Sequence, residues 1–185
     1  MNTKMHYKNN EKGFTLVETL IAIAILVMAV LAPMAIAQSG LQGARYAQDQ
    51  MTAVFLAQEA VELVKSQAYS NMNETVDWLK YLNDATANCV ANDCEVSGPR
   101  TADQPSGLPI RQCSGVTPCK VYVDPASNLF TSSYKGTVPT KFTRVIRLKS
   151  IVGNTEEKIT VTITWTAPDG TQKTYTVNDY ITRWY

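Results

Sequence analysis

The longest apolar segment of the chain covers residues 14–37 and carries one charged side chain, that of Glu18. About 24 residues of helix are enough to cross the ~30 Å hydrocarbon core of a bilayer. A carboxylate in lipid is unfavourable by roughly 3 kcal/mol or more, so Glu18 is expected to need a partner. Pro33 lies inside the same segment and predicts a kink, because proline removes one helical hydrogen bond.

Residues 38–69 continue the helical pattern and become amphipathic. Apolar residues recur at steps of three and four, which is typical of a helix with one buried face. That face is rich in alanine, so another element can approach it closely. Its members are Ala53, Leu56, Ala57, Ala60, Leu63, Val64 and Ala68.

Residues 70–120 lose regular periodicity and are rich in Asn, Asp, Ser, Gly and Pro. A short helix around residues 75–83 is the one regular element that we predict there. All four cysteines of the chain lie in this irregular region. A loop of this length in a small domain is usually functional or held by crosslinks.

Residues 121–185 have the composition of β-strands. Residues 159–165 alternate strictly between apolar side chains and threonine, which is the clearest strand signal in the chain. Further strands are predicted at 121–123, 129–130, 142–152 and about 173–181. The result is an antiparallel meander of three or four strands with one apolar face to cover. The alanine-rich helix is the available cover, so the predicted class is α+β.

The cysteine spacing favours disulfides over a zinc site. Cys89 and Cys94 are separated by four residues, and Cys113 and Cys119 by five, whereas structural zinc sites favour pairs about two to four residues apart. Four cysteines allow three connectivities. We favour Cys89 with Cys94 and Cys113 with Cys119, each closing a short loop.

The charge balance, 17 basic against 16 acidic residues, argues against a protein that works mainly by binding nucleic acid. A local basic strip remains a weak candidate for DNA contact, although a solvated surface is its simpler interpretation. The aromatic residues near the C-terminus are expected to pack on the sheet. The strip contains Lys135, Lys141, Arg144, Arg147 and Lys149, and the aromatic group contains Tyr175, Tyr180, Trp184 and Tyr185.

Candidate catalytic chemistry is lacking in the sequence. His6 is the one histidine, and no carboxylate pair, phosphate loop or nucleophile elbow is recognisable. We therefore predict neither catalytic residues nor a metal or cofactor, and no enzymatic activity. Three lysines precede the apolar segment and indicate that the N-terminal end stays in the cytoplasm while the cysteine-containing part is exported, where disulfides persist.

The stretch Gly13-Phe14-Thr15-Leu16-Val17-Glu18, after a short basic leader and before the apolar segment, resembles the class III signal of type IV prepilins and secretion pseudopilins. The layout of long helix, irregular region and C-terminal sheet agrees with the type IV pilin fold. The resemblance implies that a prepilin peptidase removes residues 1–13 by cutting after Gly13. It also implies N-methylation of the new terminus at Phe14.

The resemblance also implies how the chain would assemble. A cut after Gly13 creates an ammonium at Phe14, and Glu18 could pair with that terminus or with the terminus of a neighbouring subunit. Residues 14–37 would then form the transmembrane and filament-core helix. The implied partners are other pilin subunits, the prepilin peptidase and an inner-membrane assembly platform.

A looser similarity covers residues 44–53 and 56–60, which resemble minor pilins of the PilV type and pseudopilins of the I type. It favours a minor type IV pilin, a structural, initiating or modifying subunit. The alternatives are a minor pseudopilin of a type II secretion system and a pilus-borne module that binds DNA or a surface. The expected location is a single-pass inner-membrane protein with an extracytoplasmic head, which later enters an extracellular pilus or a periplasmic pseudopilus.

Overall fold

A computed structural model describes residues 13–73, 77–83, 87–96, 110–114, 118–132, 136–153 and 155–183. The leader before Gly13, all of residues 97–109, and Lys135, Trp184 and Tyr185 are among the residues that lie outside this description. The chain divides into two compact units, Met1–Ala44 and Arg45–Tyr185, and each is described by itself.

Helix α1 spans Leu16–Asn73, so it begins two residues later and ends four residues later than the predicted helix. It passes through Pro33 without a break in the helical assignment. At its C-terminal end the Asn71 side chain donates hydrogen bonds to the carbonyls of Trp78 (3.1 Å) and Lys80 (2.6 Å). The Asn71 side chain thus joins residues 78 and 80 to the end of the helix. No periodicity in the sequence indicates this contact.

The strands of the second unit form one antiparallel sheet. Strand β5 lies at its centre, with β6 and then β7 on one side. On its other side β5 pairs with both β1 and β3, which carry β2 and β4 in turn. The described strands are β1 Cys94–Val96, β2 Ile110–Gln112, β3 Lys120–Val123, β4 Phe130–Thr131, β5 Val138–Val152, β6 Glu156–Thr166 and β7 Gln172–Thr182.

The core of the second unit lies between the sheet and residues 53–68 of α1. Every apolar residue of the strict alternation in β6 is buried, and so is the alanine-rich face of the helix except Leu63, which is half-buried. Small side chains on the helix and β-branched ones on the strand allow close packing of the two layers. The predicted α+β class and its meander, β5–β6–β7, are therefore confirmed.

The structure differs from the predicted sheet in its number of strands. Seven strands are present among the described residues instead of three or four. Two of the additional strands, β1 and β2, lie within the region that we expected to be irregular. Each has three residues, which is too short for an alternating pattern to be recognised.

The predicted short helix around residues 75–83 is wrong in its described part, since residues 77–83 form turns. Lys80 and Leu82 each donate to the carbonyl three residues earlier. Tyr81 has a φ of 69°, which a continuing right-handed helix does not allow. The apolar side chains of this turn segment are nevertheless buried in the core; they are Trp78, Leu79 and Leu82.

The disulfides join Cys89 to Cys94 and Cys113 to Cys119, so each closes a short loop. Both are also attached to the central strand by backbone hydrogen bonds. The Cys89 carbonyl accepts from the amide of Leu148, and the Cys119 carbonyl accepts from the amide of Arg144, each at 2.8 Å. One cysteine of each disulfide is therefore held against β5.

One buried charge also joins helix and sheet. Arg144 of β5 is 2% exposed and donates to the Glu59 carboxylate at 2.6 Å and to the Leu56 carbonyl at 3.2 Å, both on α1. It also donates to the Val96 carbonyl at the end of β1. A single guanidinium thus connects three elements, and its charge is matched by a carboxylate that is 39% exposed.

We expect Glu59→Ala to lower the free energy of unfolding of a fragment spanning residues 45–185 by about 1–3 kcal/mol. The substitution leaves the buried Arg144 without its counter-charge, and the exposure of Glu59 moderates the loss. Glu62→Ala, at an exposed position of the same helix, is the control and should change stability by less than about 0.5 kcal/mol. Urea unfolding measures both, and equal effects would contradict this role of Arg144.

A second prediction concerns Glu157, which is buried at 2% exposure on the inner face of β6. Burial raises the pKa of its carboxyl above the ordinary value of 4.5, and a hydrogen bond with Ser150 opposes this only in part. Since the folded state then holds the proton more tightly than the unfolded state, this group reduces stability as pH rises from about 4.5 through the raised pKa.

Glu157→Gln removes that titration. The variant should therefore gain stability relative to the unmodified chain between pH 4 and pH 7, as measured by urea unfolding at both values. A stability difference that stays constant with pH, or one that shifts in favour of Glu157 at pH 7, would contradict the prediction.

Candidate assembly segment at the start of the helix

Residues 13–18 form the start of α1 in the first unit. Gly13, Phe14 and Thr15 precede the helix, and Thr15 caps it. The Thr15 hydroxyl accepts the amide of Glu18 at 3.3 Å, and its carbonyl accepts the amide of Thr19 at 3.2 Å. The structure thus places Glu18 in the first turn of the helix and Gly13 and Phe14 directly before its cap.

Thr15 is a residue that our sequence analysis missed. Thr15-Leu16-Val17-Glu18 fits the capping-box pattern, in which a Thr caps the helix and a Glu occupies the third helical position. The Ser/Thr-x-x-Glu spacing is a signal that could have identified it. Glu18 therefore has a local role as well, since an acidic group in the first turn is favoured by the helix dipole by about 0.3–1 kcal/mol.

Local capping does not neutralise the Glu18 charge. None of the ion pairs among the described residues includes Glu18. Its side chain is exposed on a helix whose surrounding surface is apolar. A charged carboxylate placed in this way is unfavourable without a counter-charge when the segment leaves water.

Gly13 is not required by the fold. A Cβ built at this position would meet nothing within 4 Å, and its φ does not lie in the left-handed region. Neither packing nor backbone geometry explains why a residue without a side chain stands here. Gly40, Gly43 and Gly153 have the same open surroundings, so glycine at position 13 carries no structural requirement in the described residues.

The first unit exposes a helix that is apolar on every side. Its large apolar side chains are between 48% (Val27) and 75% (Leu16) exposed, and Phe14, just before the helix, is 80% exposed. A helix with this pattern is stable only when it is covered by lipid or by other protein. Within the described residues, α1 is the one helix that is long and apolar enough to cross a membrane.

The basic strip proposed from the sequence does not exist as a continuous surface among the described residues. Lys141 pairs with Asp49 at 2.5 Å, and Arg147 pairs with Asp93. Arg144 points into the core towards Glu59, as described above. Because successive residues of a strand face opposite sides, these cations are divided between two faces and most are matched by acids.

The remaining candidates from the sequence are the C-terminal aromatic residues and possible metal ligands. Tyr175 is half-buried and packs against the core, whereas Tyr180 is exposed. Among the described residues there is no group of three or more His, Cys, Asp or Glu side chains that could hold a metal ion.

Comparison with known families gives one match. Residues 8–32 match the family described as the prokaryotic N-terminal methylation motif. No curated protein and no solved structure matches the chain. The matched residues include the capped helix start and residues 14–32 of the exposed apolar segment. The motif supports a type IV pilin-like or pseudopilin-like precursor, whose family is structural rather than enzymatic, and the long helix followed by an antiparallel sheet is consistent with the α+β type IV pilin fold.

Proposed function

We propose that this protein is a minor type IV pilin. It is cut after Gly13, N-methylated at Phe14, held in the inner membrane by residues 14–37 and assembled into a filament through the same helix. The observation that carries the proposal is the methylation motif over residues 8–32, which coincides with an apolar helix left uncovered in the structure. Its head, residues 45–185, is exported and displayed on the assembled fibre.

The environment of Gly13 supports the processing step. A side chain at this position would meet no atom within 4 Å, so the fold does not require glycine here, and a peptidase that accepts no side chain before the cut would account for it. Thr15 and the helix cap follow directly, so the cut would leave Phe14 immediately before a capped helix.

The exposed charge of Glu18 supports the assembly step. Cleavage creates an ammonium at Phe14, which directly precedes the Thr15 cap and lies four residues before Glu18 in the chain, so this terminus is a candidate counter-charge for the carboxylate. The ammonium of a neighbouring subunit can supply the same counter-charge. Pairing with the neighbour neutralises two charges in an apolar surrounding and fixes the axial register of the subunits.

The assignment as a minor subunit is supported by the PilV-like residues 44–53 and 56–60. Ala53, Leu56, Ala57 and Ala60, which belong to these stretches, are buried against the sheet. The residues that resemble PilV-type pilins thus include the part of the helix that packs on the sheet. A minor pseudopilin would share this feature, and type II secretion genes beside the coding gene would favour that alternative over pilus genes.

The processing step is tested by the intact mass of the membrane form. We expect a chain that begins at N-methylated Phe14. Gly13→Leu should retain residues 1–13, because the new side chain would obstruct the cut while leaving the fold unchanged. Gly43→Ala, at another glycine with open space around it, is the control and should be processed normally. Unprocessed wild-type chains in cells that contain the peptidase would contradict the proposal.

The role of Glu18 is tested by two variants. Glu18→Ala removes the charge and the capping-box carboxylate, whereas Glu18→Gln keeps a capping-box side chain and removes only the charge. If charge pairing drives assembly, both variants should insert and be cleaved, and both should be depleted from sheared filaments at least tenfold. Normal incorporation of Glu18→Gln would show that Glu18 serves only the helix cap.

A further inference from the structure

Strand β7 forms the long free edge of the sheet. It has 11 residues and pairs only with β6 among the described residues, whereas β2 and β4, which end the opposite side, have three and two residues. Long edges are usually interrupted by proline or a bulge, because unpaired amides and carbonyls are a template for another strand. No proline lies in β7, and its register with β6 is continuous.

The hydrogen bonds at both ends of the β6–β7 hairpin define which backbone groups face outward. The Ala167 amide donates to the Thr171 carbonyl, and the Arg183 amide donates to the Thr155 carbonyl. Both pairs follow the register of the ladder, so the odd-numbered residues of β7 bond to β6. The even-numbered residues therefore direct their amides and carbonyls away from the sheet.

Asp179 limits the length of this free edge. Its Oδ1 accepts the amide of Tyr180 at 2.7 Å, and its Oδ2 pairs with Lys65 of the helix at 2.7 Å. The hydrogen bond from Lys65 lowers the pKa of Asp179, so the carboxylate stays charged. The outward groups of Thr174, Thr176 and Asn178 thus form the centre of an available edge.

The side chains along this edge are arranged symmetrically about Thr176. Lys173 lies three residues before Thr176, and Asp179 lies three residues after it. Tyr175 and Val177 are its direct neighbours in the chain. Lys173 lies 5.8 Å from the ring of Tyr46 and takes part in none of the ion pairs among the described residues. Charges of opposite sign at equal distances from a centre make an antiparallel strand complementary to itself.

We propose that β7 pairs with β7 of a second copy of this chain, antiparallel and with Thr176 opposite Thr176. Lys173 then lies opposite Asp179 of the second copy, and Tyr175 opposite Val177, each pair occurring twice. Since the even-numbered residues make the new hydrogen bonds, these odd-numbered pairs are non-hydrogen-bonded pairs, in which side chains come closest. The contact is isologous and closes as a dimer.

The pairing goes beyond the proposed function and is not the contact between neighbours in one filament. A two-fold axis normal to the sheet reverses the direction of helix residues 45–73, which lie on one face of that sheet. Subunits that pack through parallel helices cannot be related in this way. The β7 pairing therefore joins the heads of two separate assemblies.

The fragment spanning residues 45–185 is suitable for the test, because it forms a compact unit and contains every buried apolar residue of the described chain. We expect a concentration-dependent dimer by sedimentation, with the mass doubling at high concentration. Thr176→Pro should abolish it, since the lost amide faces outward and the pairing with β6 is kept. Thr176→Val, which retains the amide, is the control and should dimerise.

Two further variants keep the proposal testable if Thr176→Pro fails to fold. Lys173→Glu places like charges opposite each other twice and should weaken dimerisation at least tenfold. Thr176→Cys should form an intermolecular disulfide under mild oxidation, whereas Asn178→Cys, whose counterpart lies about 13 Å away in this register, should not. A monomeric fragment at millimolar concentration, or a dimer unaffected by Lys173→Glu, would overturn the proposal.

Discussion

The close approach of α1 to the sheet depends on alanine. At Ala53, Ala57, Ala60 and Ala68 the helix presents only methyl groups, so the long β-branched side chains of β6 occupy the space between the layers. This geometry also brings the Leu56 carbonyl within reach of Arg144. A larger side chain in the alanine stripe would separate the layers and remove the guanidinium from its partners.

Three ion pairs of the head join the helix to the sheet. Arg144, Lys141 and Lys65 each pair with a carboxylate on the other layer, so the ion pairs hold helix and sheet in register. Desolvation offsets much of the attraction in such pairs, and their main consequence is orientation rather than net stability. Arg111 and Arg147 form further ion pairs, with Glu95 and Asp93, within the described part of the head.

Two parts of the chain remain without cover, and they differ in chemistry. The apolar helix of the first unit exposes hydrocarbon, which only lipid or other apolar helices can cover. The edge of β7 exposes amides and carbonyls, which an extended strand can satisfy. Any apolar surroundings can cover the helix, so a bilayer and a filament core are both suitable. A strand that pairs with the β7 edge must match its register, so this pairing is selective.

The sequence by itself determined the elements whose residues repeat over many turns or strands. The apolar segment with Glu18, the alanine stripe and the alternation in β6 follow from periodicity, and the α+β class follows from them. Tertiary structure decided what periodicity does not encode. Strand β1 pairs with β5 and β2 pairs with β1, and Arg144 is buried because α1 places Glu59 and the Leu56 carbonyl above it. Such contacts join residues far apart in the chain, so no local pattern records them.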